Sequence, residues 1–303
     1  MDKPPTLSFS EGWGFVSLAE RKLTNKKGGR EMKVTCVVDN AVCDHSTFWG
    51  EHGLTFLIET KSGCVLFDTG RSGTVLLHNL ELLDIEPEAI SALAISHAHY
   101  DHTGGLPTLL DQIARIPLYA HPDLLRERFS RREELKSVGL PLEREVLAQR
   151  LTFQLSAGPA EILPGVWTTG EITDRAEPEG RSAHHLVRGM EGWELDPYRD
   201  DMALVLETGR GLVVLCGCCH AGLLNTLFHV RRTFGVDITA VAGGTHLLQA
   251  DETHLQRVIE VLRELGVPRL YLNHCTGQRA YVTLAQAFGE EVAPCPAGTS
   301  LSF

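Results

Sequence analysis

SHAHYDHTGG, residues 96–105, sets His97, His99, Asp101 and His102 side by side and runs at once into two glycines. The residues before it, AISALAI (89–95), are apolar, so the cluster stands where a buried strand ends. Two histidines one residue apart turn both imidazoles to the same side only in an extended segment or tight loop, and there both rings reach one ion. Asp101 and His102 follow after a one-residue spacer and turn toward a neighbouring point. Two such ligand pairs suit two metal ions roughly 3.5 to 4 Å apart with a hydroxide between them. A single histidine at a strand end is usually a capping or surface residue. Imidazole and carboxylate crowded together are what zinc and iron sites need.

Upstream, LTFLIETKSGCVLFDTG (54–70) reads as a β-hairpin, and LVLETGRGLVVLCGC (204–218) repeats it. Aligning Glu59 with Glu207 and Gly63 with Gly211 sets Asp68 opposite Cys216. A helical stretch and another apolar strand follow each hairpin, the first ending ALAISH at His97 and the second AVAGGTH at His246. A duplicated strand, strand, helix, strand unit predicts an α/β protein, an αββα sandwich of two packed mixed sheets with outer helices. DETHLQRVIEVLRELG (251–266) places Leu255, Val258, Ile259, Leu262 and Leu265 on one helical face, and VPRLYLNHCTG (267–277) then reads as a strand ending at His274. His97, His246 and His274 thus all follow strand C-terminal ends, where α/β sheets place ligand sites. Residues 122–200 are polar and read as a helical excursion with loops inserted over the sheet edge, a lid. Residues 1–31 read as a peripheral extension before the 32–303 domain.

The bulk properties narrow the function. The chain has 303 residues, 43% hydrophobic and 22% charged, which suits a globular protein with a large core. Its net charge of −11 opposes broad attraction to nucleic acid or an anionic membrane. With no apolar run near the roughly 20 residues of a span and no secretory signal, a cytoplasmic location is expected. The eight cysteines read as reduced thiols; CGCC (216–219) lacks a second cysteine pair to make a zinc finger.

HAHYDH (97–102) resembles the His-x-His-x-Asp-His motif of the metallo-β-lactamase superfamily, and the resemblance runs from Met32 onward. FDTG (67–70) resembles its strand-end aspartate, and GCCHAG (217–222), GGTHL (243–247) and HCTG (274–277) resemble its later motifs. Together with VDN (38–40) and EHGLTFLIET (51–60), they look most like a branch of metal-dependent hydrolases whose archaeal relatives include a dihydropterin ribofuranosylaminobenzene phosphate synthase. The resemblance implies that His97 and His99 bind a first metal while Asp101, His102 and His274 bind a second. Where many members place a bridging aspartate, this chain offers His220 as a ligand, with Cys218 as the other candidate. The histidine that the superfamily supplies before the ALVLE strand (203–207) is missing, leaving Asp200 or Asp201 either as substitutes or as solvated turn residues.

Asp68 is expected to accept the outer N–H of a metal-bound imidazole, or else to be a plain turn residue. His246 should border the cleft as a substrate or proton-transfer residue rather than a ligand, unless it is a buried structural histidine. His184 and His185 either fold over the site or stay at the surface, and Glu51 and His52 can line its entrance. The expected activity is a binuclear hydrolase with Asp101 and His246 in catalytic roles and two divalent ions, zinc first and manganese or iron as alternatives. Its bound water, with a pKa lowered from about 15.7 toward 7, would attack an ester, lactone or phosphoester of a small molecule. The alternatives are a pterin- or folate-linked synthase and a metal-containing binding protein without turnover. For the synthase, Trp193, Tyr198 and Arg199 would stack on and pair with a pterin-like or phosphorylated ligand.

Overall fold

A computed structural model describes residues 31–303; the extension expected over 1–31 lies, but for Glu31, outside the described residues. The first half lays down β1 (Lys33–Val38), β2 (Thr55–Thr60), β3 (Gly63–Phe67), α1 (Gly73–Leu82), β4 (Ile90–Ala94), α2 (Tyr100–Thr103), α3 (Leu106–Gln112) and β5 (Ile116–Ala120). A middle stretch follows with β6 (Arg128–Arg131), β7 (Leu135–Ser137), α4 (Arg144–Arg150), β8 (Leu151–Leu155), β9 (Ala160–Leu163), β10 (Val166–Thr168), β11 (His185–Arg188) and β12 (Trp193–Leu195). The chain then forms β13 (Leu204–Thr208), β14 (Gly211–Cys216), α5 (Leu223–Phe234), β15 (Ile238–Gly244), α6 (Glu252–Glu264), β16 (Arg269–Asn273), α7 (Gln278–Phe288), β17 (Val292–Pro294) and β18 (Ser300–Ser302).

The repeated hairpins fold alike. β2 and β3 pair antiparallel with Glu59 opposite Cys64, and β13 and β14 pair with Glu207 opposite Leu212. Each hairpin passes through a helix into a parallel strand, and both parallel ladders slip at the same place, after Cys64 and after Leu212. The sheets are ordered β18-β1-β2-β3-β4-β5-β8 and β17-β16-β15-β14-β13-β10-β9. Read from β18 and from β9, both run through three antiparallel and then three parallel neighbours. The duplication is therefore one of topology and register.

The register also corrects one detail. Phe67 pairs with Ala94 and Leu215 with Ala242. Three residues beyond each alanine stand His97 and Thr245, so the counterpart of His97 is Thr245, and His246 sits one position further on.

Because side chains alternate along a strand, each strand feeds two layers. Phe56, Ile58, Val65 and Phe67 face Leu204, Leu206, Val213 and Leu215 between the sheets. Leu57, Leu66 and Leu93 point outward beneath Leu76 and Leu80 of α1 and Leu106 and Leu109 of α3. Val214 and Val241 do the same beneath α5, α6 and α7. Complete burial contributes about 1.5–3 kcal/mol for each such side chain, so both faces of both sheets hold the fold. In α6 the expected apolar face is buried, and the Asp251 carboxylate caps the start by accepting from the His254 N–H.

Residues 122–200 depart from expectation. The segment is mainly β rather than helical, and α4 is its one α-helix. β8 completes the first sheet while β9 and β10 complete the second, so Leu151–Thr168 is core rather than insertion. What lies apart is a small sheet, β12-β11-β6-β7. The alternation of β8 to β10 is short and interrupted by turns, which hid it. All eight cysteines are free thiols, in keeping with the reduced reading. Among the described residues no helix is long and apolar enough to cross a membrane.

Candidate metal centre

The loops that leave β1, β3, β4, β14, β15 and β16 at their C-terminal ends meet at one edge of the sandwich. The motif itself turns from β4 through His97 and His99 into α2, which carries Asp101 and His102. The two glycines that end it are needed for close approach: a Cβ on Gly104 would strike the Arg71 carbonyl oxygen, and one on Gly105 the Thr69 carbonyl oxygen. The Thr69 N–H donates to the His102 carbonyl at 2.7 Å, so this packing fixes the turn.

His97, His99 and His220 form one cluster, with a donor nitrogen from each within 4.8 Å of the others. His97 Nε2 and His99 Nδ1 face each other at 3.1 Å. The Nδ1–H of His220 donates to the Gly180 carbonyl at 2.7 Å, which leaves its buried Nε2 as a lone pair without a partner. Beside this cluster, His102 Nε2 faces His274 Nε2 at 3.2 Å, and Asp101 Oδ2 lies 3.5 Å from His274 Nε2 and 3.7 Å from His102 Nε2. His52, half exposed, adds its Nε2 at 3.3 Å from Asp101 Oδ2. Opposed imidazole nitrogens repel unless a proton or a cation lies between them, so both clusters fit a metal ion.

The outer nitrogens are tied down. The His102 Nδ1–H donates to Asp68 Oδ2 at 2.7 Å, and the Ser96 hydroxyl and N–H donate to the same carboxylate at 2.7 Å. His97 Nδ1 meets the Ser96 oxygen at 2.9 Å. His274 donates its Nδ1–H to Asn40 Oδ1 at 3.2 Å and its backbone N–H to Asp39 Oδ1 at 2.9 Å. Each of these rings thereby turns its other nitrogen inward, the arrangement that sets the tautomer of a metal-binding imidazole. Burial, and then the neighbouring imidazoles, hold His97 and His220 well below the usual histidine range; burial and then His185 do the same for His99. Burial alone would also lower His102, but the Asp68 and Asp101 carboxylates outweigh it and raise it to about 9. Burial opposes ionisation of Asp101 too, yet His102 and His274 hold its carboxyl well below the usual range.

The segment before β13 closes over the first cluster. The Tyr198 ring stacks on His220 at 4.2 Å between centroids, and its hydroxyl bonds His185 Nδ1 at 2.8 Å. His185 in turn sits edge-on to His99 at 4.8 Å. Asp200 and Asp201 are neither solvated nor members of a ligand cluster. Asp200 Oδ2 accepts the Ala98 N–H and Asp201 Oδ2 the Ala221 N–H, both at 2.9 Å, so each carboxylate anchors the backbone of a histidine loop. Behind Asp200, the buried Arg128 of the small sheet pairs with Asp200 Oδ1 at 2.7 Å and Asp196 Oδ2 at 2.9 Å. Arg128 escaped the sequence reading because an arginine in a polar segment reads as surface.

Other expected residues divide. His246 lies at the cleft, 4.3 Å from the His220 ring, its Nδ1 buried and unpartnered, and it can share an ion with Cys218 and His220. His184 is exposed. Trp193 packs on Phe129 in the small sheet and Arg199 pairs with Glu171, so neither faces the clusters. Glu51 accepts from the Ser72 N–H and hydroxyl at 2.7 Å, holding the start of α1 rather than the entrance. Asp39 and Asn40, noted only as part of VDN, prove to hold His274. Strain collects here as well: Asp68, Tyr198, Cys219, His246 and His274 have φ of 62°, 48°, 58°, 51° and 50°.

Comparison with known proteins follows the geometry. The family described as the metallo-beta-lactamase superfamily matches residues 49–188. A 7,8-dihydropterin-6-methyl-4-(beta-D-ribofuranosyl)-aminobenzene-5'-phosphate synthase of Methanocaldococcus jannaschii is 32% identical over 284 residues, 90% of this chain and 97% of that protein. A crystal structure described as a metal-dependent hydrolase of the beta-lactamase superfamily superposes with a TM-score of 0.78 at 28% identity, over 89% of this chain and 98% of that one. A metallo-beta-lactamase fold protein from Bacillus subtilis, at 14% identity and a TM-score of 0.54 over 90% of this chain and all of that one, shares the fold.

Proposed function

We propose, since this chain belongs to the metallo-β-lactamase superfamily, that it is a binuclear metal-dependent hydrolase of small ester, lactone or phosphoester substrates. His97, His99 and His220 would hold one divalent ion and Asp101, His102 and His274 the other, with zinc the first candidate. The observation that carries this reading is the division of labour within each ring: outer nitrogens bonded to Asp68, Ser96, Asn40 or Gly180, inner nitrogens converging, His220 Nε2 buried with no partner. When bound, such ions polarise a substrate oxygen and lower the pKa of a coordinated water toward about 7.

The chain's own groups do the rest. Asp68, Asp200 and Asp201 keep the ligand loops in register, and Tyr198 and His185 shield the first cluster from water. His246 Nδ1, buried and unbonded, is free to take or give a proton beside the reacting centre. Location in the cytoplasm and a small-molecule substrate rather than nucleic acid belong to the same proposal, from the net charge of −11.

A second reading is favoured by the 32% identity that spans 97% of the Methanocaldococcus jannaschii synthase: a reaction on a phosphorylated, pterin-like substrate. One experiment separates the two. Zinc-loaded protein is offered a panel of esters, lactones and phosphodiesters, and separately a dihydropterin with a ribofuranosylaminobenzene phosphate. Hydrolysis that disappears in His99→Ala supports the first reading, and product from the pterin pair alone supports the second. Binding of either by calorimetry with no product from both would overturn enzymatic function.

A further inference from the structure

We propose that Cys218 supplies a thiolate ligand shared by the two clusters, and that this soft donor makes the centre select zinc over manganese. The inference rests on the binuclear reading above and deepens it. Cys218 follows β14 by two residues and is 3% exposed. Its Sγ lies 3.2 Å from His102 Nε2. Together with His97 and His102 it forms one group able to hold an ion, with His274 and Cys275 a second, and with His220 and His246 a third. No other described residue enters three such groups, and these span both clusters: His97 and His220 from one, His102 and His274 from the other. A sulfur at that point touches both halves of the centre.

The neighbouring thiols have other employment. Cys219 turns away into the apolar cluster of Cys216, Leu223 and Leu224. Cys275 Sγ accepts the His246 N–H at 3.3 Å and donates to the Cys218 carbonyl at 3.5 Å, so backbone groups occupy it. A buried cysteine often serves as a small apolar filler, but Cys218 is ringed by imidazole nitrogens rather than by methyl groups. Binding of a divalent ion would release the thiol proton to solvent and leave the thiolate as ligand. Thiolate favours zinc and cobalt, whereas manganese prefers carboxylate and water.

Metal-free protein loaded with cobalt tests the idea by absorption and elemental analysis. The wild type should bind close to two cobalt ions per chain and show an intense thiolate-to-cobalt charge-transfer band in the near ultraviolet. Cys218→Ser should abolish that band and lower cobalt content toward one per chain on dialysis, while Cys275→Ser keeps the band. Two bound ions with no band, or a band that survives Cys218→Ser, overturns the thiolate. Cobalt content that never exceeds a tenth of an ion instead overturns the binuclear reading itself. X-ray absorption of the zinc-loaded wild type needs no variant: a sulfur scatterer at about 2.3 Å is expected, and a shell of nitrogen and oxygen alone refutes it.

Discussion

Replacing Arg128 with methionine removes the one cation between two buried carboxylates. Its guanidinium bonds Asp196 Oδ2 at 2.9 Å, Asp200 Oδ1 at 2.7 Å, and the carbonyls of Asp123 and Arg126 at 3.0 and 3.2 Å. Breaking one side of a buried ion pair removes about 3–5 kcal/mol. At about 2–4 °C per kcal/mol for a domain of this order, the melting temperature should fall by roughly 6–20 °C.

The loss should depend on pH, with a definite sign. Burial has raised Asp200 to about 7 even with Arg128 opposing it. Without Arg128 the folded protein binds a proton over a wider range than the unfolded chain, whose carboxylate titrates near 3.9. Stability of the variant therefore falls as pH rises from about 5 to 8, and the deficit against wild type is largest at the alkaline end. Because Asp200 Oδ2 also holds the Ala98 N–H between His97 and His99, metal affinity should weaken by about 10–100-fold. Calorimetric melts at about pH 5.5, 7 and 8.5, with zinc titrations alongside, measure both effects. Adding Asp200→Asn to Arg128→Met removes the excess charge and should recover about 1–3 kcal/mol. An Arg128→Met protein that melts within about 2 °C of wild type at about pH 8 and binds zinc as tightly would refute the coupling.

Three further outcomes are expected. His99→Ala should lose metal and with it activity, whereas His246→Ala should keep its metal while turnover falls about 100-fold or more; metal loss in His246→Ala, read by elemental analysis, would make it a ligand instead. Asp68→Asn should weaken zinc binding by about 10–100-fold, since the amide cannot polarise His102 Nδ1 as the carboxylate does, and an unchanged dissociation constant would rule that out. Finally, the His102 imidazolium paired with Asp68 and Asp101 stabilises the metal-free fold fully below about pH 6.5, and that contribution fades as pH rises through about 9. Zinc uptake at about pH 7.5 should therefore release at least about one proton per chain, and calorimetry in buffers of different ionisation enthalpy that finds none counts against it.

The parts of the molecule that were readable from sequence share a cause. Hairpins 54–70 and 204–218 carry their own turn and alternation, so their register followed from residues close together, and the HAHYDH cluster is dense enough to be seen without its fold. The α6 stripe was legible for the same reason. Arg128, Asp200 and Asp201 were not, because a buried charge looks like a surface charge until its partner is known, and Arg128 is far in sequence from Asp196 and Asp200. His52 and Asp39 were likewise brought to Asp101 and His274 only by β1 and β2. The strands β8 to β10 were taken for insertion because each is short and their partners lie in different sheets.

The donors of the two clusters are divided by the duplication. His97, His99, Asp101 and His102 come from the first half, and Cys218, His220, His246 and His274 from the second. Neither half can assemble either cluster alone, so ions bound there would tether one half-chain to the other. Cutting the chain at exposed Ala157 and Gly158, between β8 and β9, would leave two fragments with an incomplete set of donors each. Ions at a hundred times their dissociation constant would add about 2.7 kcal/mol to the association of those fragments, and a chelator would withdraw it. Retention of metal then becomes a gauge of whether the halves are still docked.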